Sequence, residues 1–440
     1  MDVIAVARDA LAAGPVCDPC LGRLVADRSF GLTNRERGHS LRVAVALADD
    51  ADFEPGSDCW VCEGECARYD TWAERAATAL RNYAFDTYQV GTTVPPLLEE
   101  NDRLLREDAG LEPEAGELLK SEFNREVGKR LGESTGTEVD FERPDVVVRC
   151  DLAADAVEVQ VNAAFVYGRY RKLERYIPQT EWPCRDCNAT GRVQGEICAG
   201  CDGTGYRYDR SVEGYTAPHV REAMDGEDAT FHGAGREDVD ARMLGEGRPF
   251  VVEVASPRTR RPDVDELEAR INEAAEGAVE VQDLRLATYE MVERVKELDA
   301  SKRYRMNVAF DAPVEAAAFE RALDALVGAT IHQETPQRVD HRRASKTRTR
   351  AVYDAAGELE SERSATVEIH GEGGLYVKEL VSGDDDRTEP SLAGELGVDA
   401  TVEALDVLAV TGEDEPFADP DYFRSGVDTD TACTPREECR

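Results

Sequence analysis

The sequence predicts an α+β chain of several domains. Three observations carry that expectation. β-branched alternation at 144–151 and 156–162 sits among segments of helical apolar spacing, no βαβ rhythm runs through the chain, and 41% of its 440 residues are hydrophobic. That apolar content is too high for a disordered acidic chain, and at roughly 150 residues per domain the length allows two to four domains with separate cores.

Residues 1–70 form a Cys-bearing module. Thr71–Gln89 and Glu114–Leu131 carry helical spacing, and Pro144–Asp151 and Ala156–Asn162 read as adjacent strands. Phe165–Tyr176 (FVYGRYRKLERY) interleaves aromatic and basic side chains. Such residues suit base stacking with phosphate pairing, and equally an amphipathic helix or strand with a solvated Arg face. Ser211–Ala223 reads as helix and leads to a Gly/Arg-rich loop, His232–Gly247, and a strand, Pro249–Ser256. A helix behind a capping acid follows at Asp263–Ala278, then strands near Val279–Leu284 and Tyr304–Phe310. Pro313–Gly328 is helical, Arg348–Asp354 and Ala365–His370 are strand-like, and long-range antiparallel pairing is expected. The acidic, Pro-containing tail Glu413–Arg440 is expected to be loosely ordered.

Charge is the next constraint. The formal net charge is -39, and only seven of the 52 basic residues are lysine. A spread acid excess with little lysine looks like adaptation to a salty cytoplasm, where carboxylates keep a surface hydrated. A pI near 4.5 ordinarily argues against a nucleic-acid partner. Strong salt weakens that argument, because the Debye length falls to ~3 Å at molar salt and only local Arg contacts matter. Arg338–Arg350 (RVDHRRASKTRTR) inverts the general trend, with six Lys or Arg against one acid. That contrast favours contact with a polyanion over a merely solvated face. No apolar run reaches the ~18–20 residues of a membrane span, and Met1-Asp-Val-Ile lacks the basic and apolar regions of a signal peptide. A cytoplasmic protein with no membrane partner is expected.

Eight of the 12 cysteines form four CxxC pairs. A dithiol closed over two residues chelates a soft tetrahedral metal, and two pairs complete a four-thiolate zinc shell; a reducing compartment disfavours disulfides. Cys184, Cys187, Cys198 and Cys201 form one expected zinc knuckle, with glycines placed for its turns. Cys17, Cys20, Cys59 and Cys62 are the expected ligands of a second site, with Cys66 as a competing thiol. Both read as structural zinc. Cys150 reads as a buried strand residue, and Cys433 and Cys439 lie in a tail too irregular to assign. No GxxxxGK[ST] loop occurs, and the GAGRED stretch lacks the context of a dinucleotide fingerprint.

Ala234–Phe250, AGREDVDARMLGEGRPF, resembles the signature of the archaeal and eukaryotic tRNA pseudouridine synthases that act on T-loop uridines 54 and 55. The likeness continues in order through CDPCLGR, GLTNRERG, FVYGRYRKL, the WPCRDC knuckle, HRRAS and GLYVKELVSGD, covering most of the chain. The resemblance implies an N-terminal zinc module (1–70), a THUMP-like RNA-binding domain (71–180), the knuckle (181–210), a catalytic domain with a mixed, mainly antiparallel sheet and flanking helices (211–412), and an acidic tail (413–440). It implies Asp238 as nucleophile, since a carboxylate can add covalently and leave again. Lys378 would pair with that carboxylate and hold it ionised. Tyr304 and Tyr376 would meet the uridine, and Arg236, Arg242, Arg342, Arg343 and Arg387 would bind RNA. Taken singly, an acid is usually surface charge and a tyrosine usually core; only the motif raises them. Where relatives carry His-Gly-Asp-Phe-Gly-Arg-Thr, this chain has Ser382-Gly-Asp-Asp-Asp-Arg-Thr388, adding acid to a loop expected to face RNA. The implied partner is the tRNA T-arm, and no organic cofactor is required. The rival reading is a non-catalytic, zinc-dependent RNA-binding protein. A DnaJ-type zinc chaperone and an RNA methyltransferase fit less well: the CxxCxGxG copies are partial, and no cofactor-binding Gly turn follows a strand.

Overall fold

The computed structural model describes residues 1–56, 58–298, 300–337, 346–412 and 416–424. Its strands fall into separate sheets in two units, Met1–Ala163 with Ser256–Arg260, and Ala164–Ala255 with the chain from Arg261 on.

The first unit runs α1 (Val3–Ala12), α2 (Asp18–Arg23), α3 (Asn34–Ala48), α4 (Tyr69–Leu80), β1 (Thr87–Thr93), α5 (Pro96–Asp108), α6 (Leu119–Thr135), β2 (Glu138–Val139), β3 (Val146–Asp151) and β4 (Ala156–Val161). The sheet order is β2-β1-β3-β4, with β1 parallel to both neighbours and β3–β4 antiparallel. Helix α4 buries Trp72, Ala73, Ala76 and Leu80, one stripe at helical spacing. Those residues share a core with Phe123 and Leu131 of α6, with Val146 and Val148 of β3, and with Leu21 and Leu24 of the Cys-bearing segment. Residues 1–163 therefore have one core, where the sequence suggests a separate module over 1–70. Helices α2 and α3 cross at Gly22 and Gly38: a Cβ on either would come within 1.8 Å of facing backbone oxygen. Thr33 and Glu36 close a capping box that starts α3.

In the second unit come β5 (Ala164–Lys172), β6 (Arg192–Val193), β7 (Glu196–Ile197), α7 (Val212–Ala223), β8 (Asp228–Gly233), β9 (Arg242–Ala255), α8 (Val264–Ala274), β10 (Val279–Ala287), α9 (Tyr289–Glu297), β11 (Ala300–Phe310), α10 (Ala316–Leu326), β12 (Thr330–Gln333), β13 (Arg348–Ser361), β14 (Ser364–Gly371), α11 (Val377–Ser382), β15 (Thr388–Glu389), α12 (Leu392–Leu396) and β16 (Ala400–Gly412). The large sheet follows β10-β5-β9-β16-β11-β14-β13-β12-β15, with β8 also on β9. Among the described residues only its β9–β16 pairing is parallel, so the expected mixed, mainly antiparallel sheet with flanking helices is present. Ser211 and Asp263 cap α7 and α8 through their side chains. The hairpin β6–β7 carries the four knuckle cysteines on its two flanks.

Two expectations meet the fold. Of the two readings open for Phe165–Tyr176, its first part follows the strand one: β5 is an interior strand in which Tyr167, Tyr170 and Lys172 are buried while Arg169 and Arg171 are partly exposed. The tail is also not uniformly loose. Phe417 stacks on Tyr167 at 5.4 Å and Phe423 meets the same ring edge-on at 5.6 Å, so 416–424 is held by aromatic packing.

Candidate active site

Strand β5 occupies one edge of β9 along nearly its whole length. The other edge is shared: β8 pairs with Phe250–Ala255, and β16 pairs with Arg242 and Met243. Between the end of β8 and the start of β9 the chain makes the loop 234–241, which emerges where one partner strand stops and the other begins. Gly235 adopts φ +70° there, a left-handed conformation that costs glycine nothing. The sequence expectation of a loop over His232–Gly247 is too broad, because β9 begins at Arg242.

The loop forms one wall of a cleft of about 410 Å³. Asp238, Arg236, Tyr304, Tyr376 and Lys378 all line it, together with Trp182, Lys302, Arg248 and Leu405. Lys378 Nζ is 3.2 Å from Asp238 Oδ2 and 2.8 Å from Asp240 Oδ2. Tyr304 extends from the interior strand β11, which alternates inward residues Tyr304, Met306, Val308 and Phe310. Burial pushes the Tyr304 hydroxyl up to about 12, with Arg248 opposing and Asp238 adding to the rise. The phenol therefore stays protonated at neutral pH. Tyr376 precedes α11, and its backbone is clamped by fully buried Gln333, whose amide both donates to Tyr376 O and accepts from Tyr376 N at 2.9 Å. That clamp sets the first turn of α11 and hence the reach of Lys378.

Beneath the loop lies a buried ionic group that sequence reasoning missed. Glu237 sits 2.9 Å from Arg248 and 3.5 Å from Lys172, and accepts from Tyr170 Oη at 2.8 Å. Lys172 also donates to the carbonyls of Ile177, Asp238 and Val239, at 2.8, 3.2 and 3.3 Å. Arg248 donates to Ala234 O at 2.7 Å, and Gln179 to Gly235 O at 2.9 Å. Burial alone would raise the Glu237 carboxyl, but Arg248 and Lys172 outweigh it and hold it below the usual range. The loop backbone is thus bonded at Ala234, Gly235, Asp238 and Val239, while the Asp238 side chain faces the cleft. The signal for Lys172 lies in FVYGRYRKL, where composition alone suggests a surface cation.

The remaining expected RNA contacts fall elsewhere. Arg242 does not line the cleft; its guanidinium pairs with Asp406 at 2.6 Å, as Arg175 does at 2.7 Å. This doubly bridged carboxylate ties β16 to the root of the loop. Arg387 pairs with Asp384 at 3.5 Å and Glu334 at 3.7 Å. Asp384, shared with the relatives' pattern, and Asp385, one of the two added acids, accept hydrogen bonds from Gln337. Arg342 and Arg343 lie outside the described residues, as does most of the basic segment that contains them.

Two groups of four cysteine sulfurs lie within 4.8 Å of one another: Cys184, Cys187, Cys198 and Cys201, and Cys17, Cys20, Cys62 and Cys66. Sulfur pairs at 3.7 and 3.9 Å occur in both, close to the ~3.8 Å edge of a tetrahedron with ~2.3 Å metal–sulfur bonds. Either set could hold zinc as a structural staple. The second set differs from the expected ligands at one position: Cys66 is in it where Cys59 was expected. Cys59 Sγ lies 3.5 Å from Cys20 Sγ, outside that four-sulfur group. The short turn Glu65–Ala67 brings Cys66 in, a placement that CxxC spacing does not encode.

The family model "Pus10, C-terminal" matches residues 165–411, and "Pus10 THUMP domain, archaeal" matches 72–151. The tRNA pseudouridine synthase Pus10 of Halorubrum lacusprofundi is 65% identical over 96% of this chain and 100% of its own length. The protein of the same name from Methanothrix thermoacetophila is 42% identical over 93% of this chain and 95% of its own. Among solved structures, a Cbf5-Nop10-Gar1 complex matches at 18% identity and TM-score 0.29, over 44% of this chain and 45% of that one. That last likeness is too slight to carry weight.

Proposed function

The chain belongs to the Pus10 family of tRNA pseudouridine synthases, and on that premise we propose that it isomerises uridines 54 and 55 of the tRNA T loop with Asp238 as nucleophile. One observation carries the assignment of Asp238. A carboxylate from the 234–241 loop, an ammonium from α11 and a phenol from β11 meet in one cleft, although 66 and 74 residues separate them along the chain (238 to 304, 304 to 378).

The T-loop uridine must leave its stack to reach that cleft, at a cost of a few kcal/mol. Asp238 then adds covalently to the nucleoside and the N1–C1′ bond breaks. The freed uracil turns within the cleft and its C5 bonds to C1′ as Asp238 is released. The proton on C5 leaves and N1 is protonated, so the product has the composition of the substrate. Lys378 steadies the carboxylate before attack and after release. Tyr304 offers its ring as a packing surface and a protonated hydroxyl as a hydrogen-bond partner, because a phenol held near 12 is not a base at neutral pH. Fixing the loop from beneath keeps the reorganisation cost of aiming Asp238 low.

Asp238→Asn tests the reading. Tritium release from tRNA transcript carrying 5-labelled uridine should fall to background while tRNA still binds with an affinity close to that of the unaltered protein. Product formation by the Asn variant would remove Asp238 from its role.

A further inference from the structure

We propose that the groove between the zinc knuckle and the catalytic loop is a second nucleotide subsite, taking the phosphate and base of the RNA residue adjacent to the everted uridine. The proposal rests on the pseudouridine synthase reading and adds a substrate contact to it. The groove, about 640 Å³, is lined by Trp182, Arg185 and Arg207 of the knuckle and by Arg236 of the catalytic loop. Trp182 and Arg236 line the active cleft as well, so the two spaces adjoin and share these side chains as a wall.

Three features point to a strand of RNA. First, Arg185, Arg207 and Arg236 are exposed, and among the described residues none of them has a carboxylate within ion-pair distance. Arg210, three residues beyond Arg207, does have one, pairing with Glu174 at 2.9 Å. Asp186 is the one carboxylate in the lining. Second, the indole is oriented. Trp182 O accepts from Arg207 N at 2.9 Å, Pro183 bridges to Tyr206, and Tyr208 meets Trp182 edge-on at 5.5 Å. The Arg207 guanidinium lies 5.6 Å from the ring centroid. An aromatic platform beside guanidiniums is what single-stranded RNA recognition uses. Third, the guanidiniums come from both sides of the groove. Thiolates of a metal-bound knuckle would favour nearby cations, but they give no reason for the catalytic loop to add Arg236.

The test uses the full-length protein and tRNA transcript. Arg185→Ala/Arg207→Ala should weaken tRNA binding roughly 10-fold and lower the slope of log K against log salt by about 0.7 for each phosphate that is no longer neutralised. Zinc content should be unchanged. Trp182→Leu should weaken binding about 10-fold, and Trp182→Phe much less, because a ring remains to stack on. An affinity and salt slope equal to those of the unaltered protein would overturn the subsite. If a variant loses zinc or fails to fold, photocrosslinking decides with the unaltered protein. Transcripts carrying 5-iodouridine beside the target should label Trp182 or Tyr208, and labelling confined to residues outside the knuckle would overturn the proposal. Failure of the unaltered protein to form pseudouridine would instead overturn the catalytic reading, so the two failures are separable.

Discussion

Lys378 faces two carboxylates, Asp238 at 3.2 Å and Asp240 at 2.8 Å, so its charge is shared between the proposed nucleophile and a neighbour. Lys378→Met leaves those two acids facing each other without a cation. The expected result is a 10²–10³-fold fall in single-turnover rate, about what loss of one preorganised electrostatic partner costs, measured by tritium release at saturating tRNA. Tyr304 yields a prediction about pH. Its folded value of about 12 lies above the unfolded phenol at about 10, so the neutral form is the one the fold favours. That contribution is complete below about pH 10 and is lost as pH rises through about 12, a span of roughly 2–3 kcal/mol. Tyr304→Phe should flatten the decline in urea midpoint over this window and leave the acid side unchanged. An equally steep alkaline decline in the Phe variant would mean that other groups cause it.

At the scale of elements, the site is produced by the way β8 and β16 divide one edge of β9, and by what lies beneath the loop between them. Glu237 is the carboxylate that compensates Lys172 and Arg248 in that buried group. Glu237→Gln keeps the shape and removes the charge, leaving two buried cations unbalanced. A loss of about 3–5 kcal/mol in unfolding free energy is expected, read from urea denaturation. Activity should fall with it, since both cations donate to the loop backbone. A variant of unchanged stability would show that water or rearrangement supplies the balance. α11 has a comparable support in Gln333, a polar side chain with no exposure whose bonds to Tyr376 leave its amide paired on both sides.

Across the whole molecule, each unit has its own group of four converging cysteines. Elemental analysis of purified protein should find two equivalents of zinc, one for each group. Cys198→Ser should remove one equivalent. Cys66→Ser should remove the other, whereas Cys59→Ser should retain it, because the sulfur of Cys59 lies outside the four that converge. Loss of metal from the Cys59 variant with retention in the Cys66 variant would restore the ligand set that CxxC spacing suggests. A charge of -39 repels itself throughout the fold. That gives weight to a place where several arginines without a carboxylate partner converge, as they do around the knuckle groove.

Much of this was legible in the sequence. Helices with a clear apolar stripe, strands with a strict alternation, the CxxC pairs and the motif around Asp238 are patterns within a few residues of one another, and local backbone geometry follows from them directly. Tertiary structure alone decided the rest: that β5 is an interior strand and its Lys172 a buried prop, that Arg242 pairs with Asp406 of β16, that Cys66 joins Cys17, Cys20 and Cys62 in one sulfur cluster, and that Trp182 lines two adjoining clefts. The physical reason is range. A period of two or 3.6 residues says which side chains share a face. Which distant strand that face meets is settled only when the sheet pairs and the buried charges find their partners.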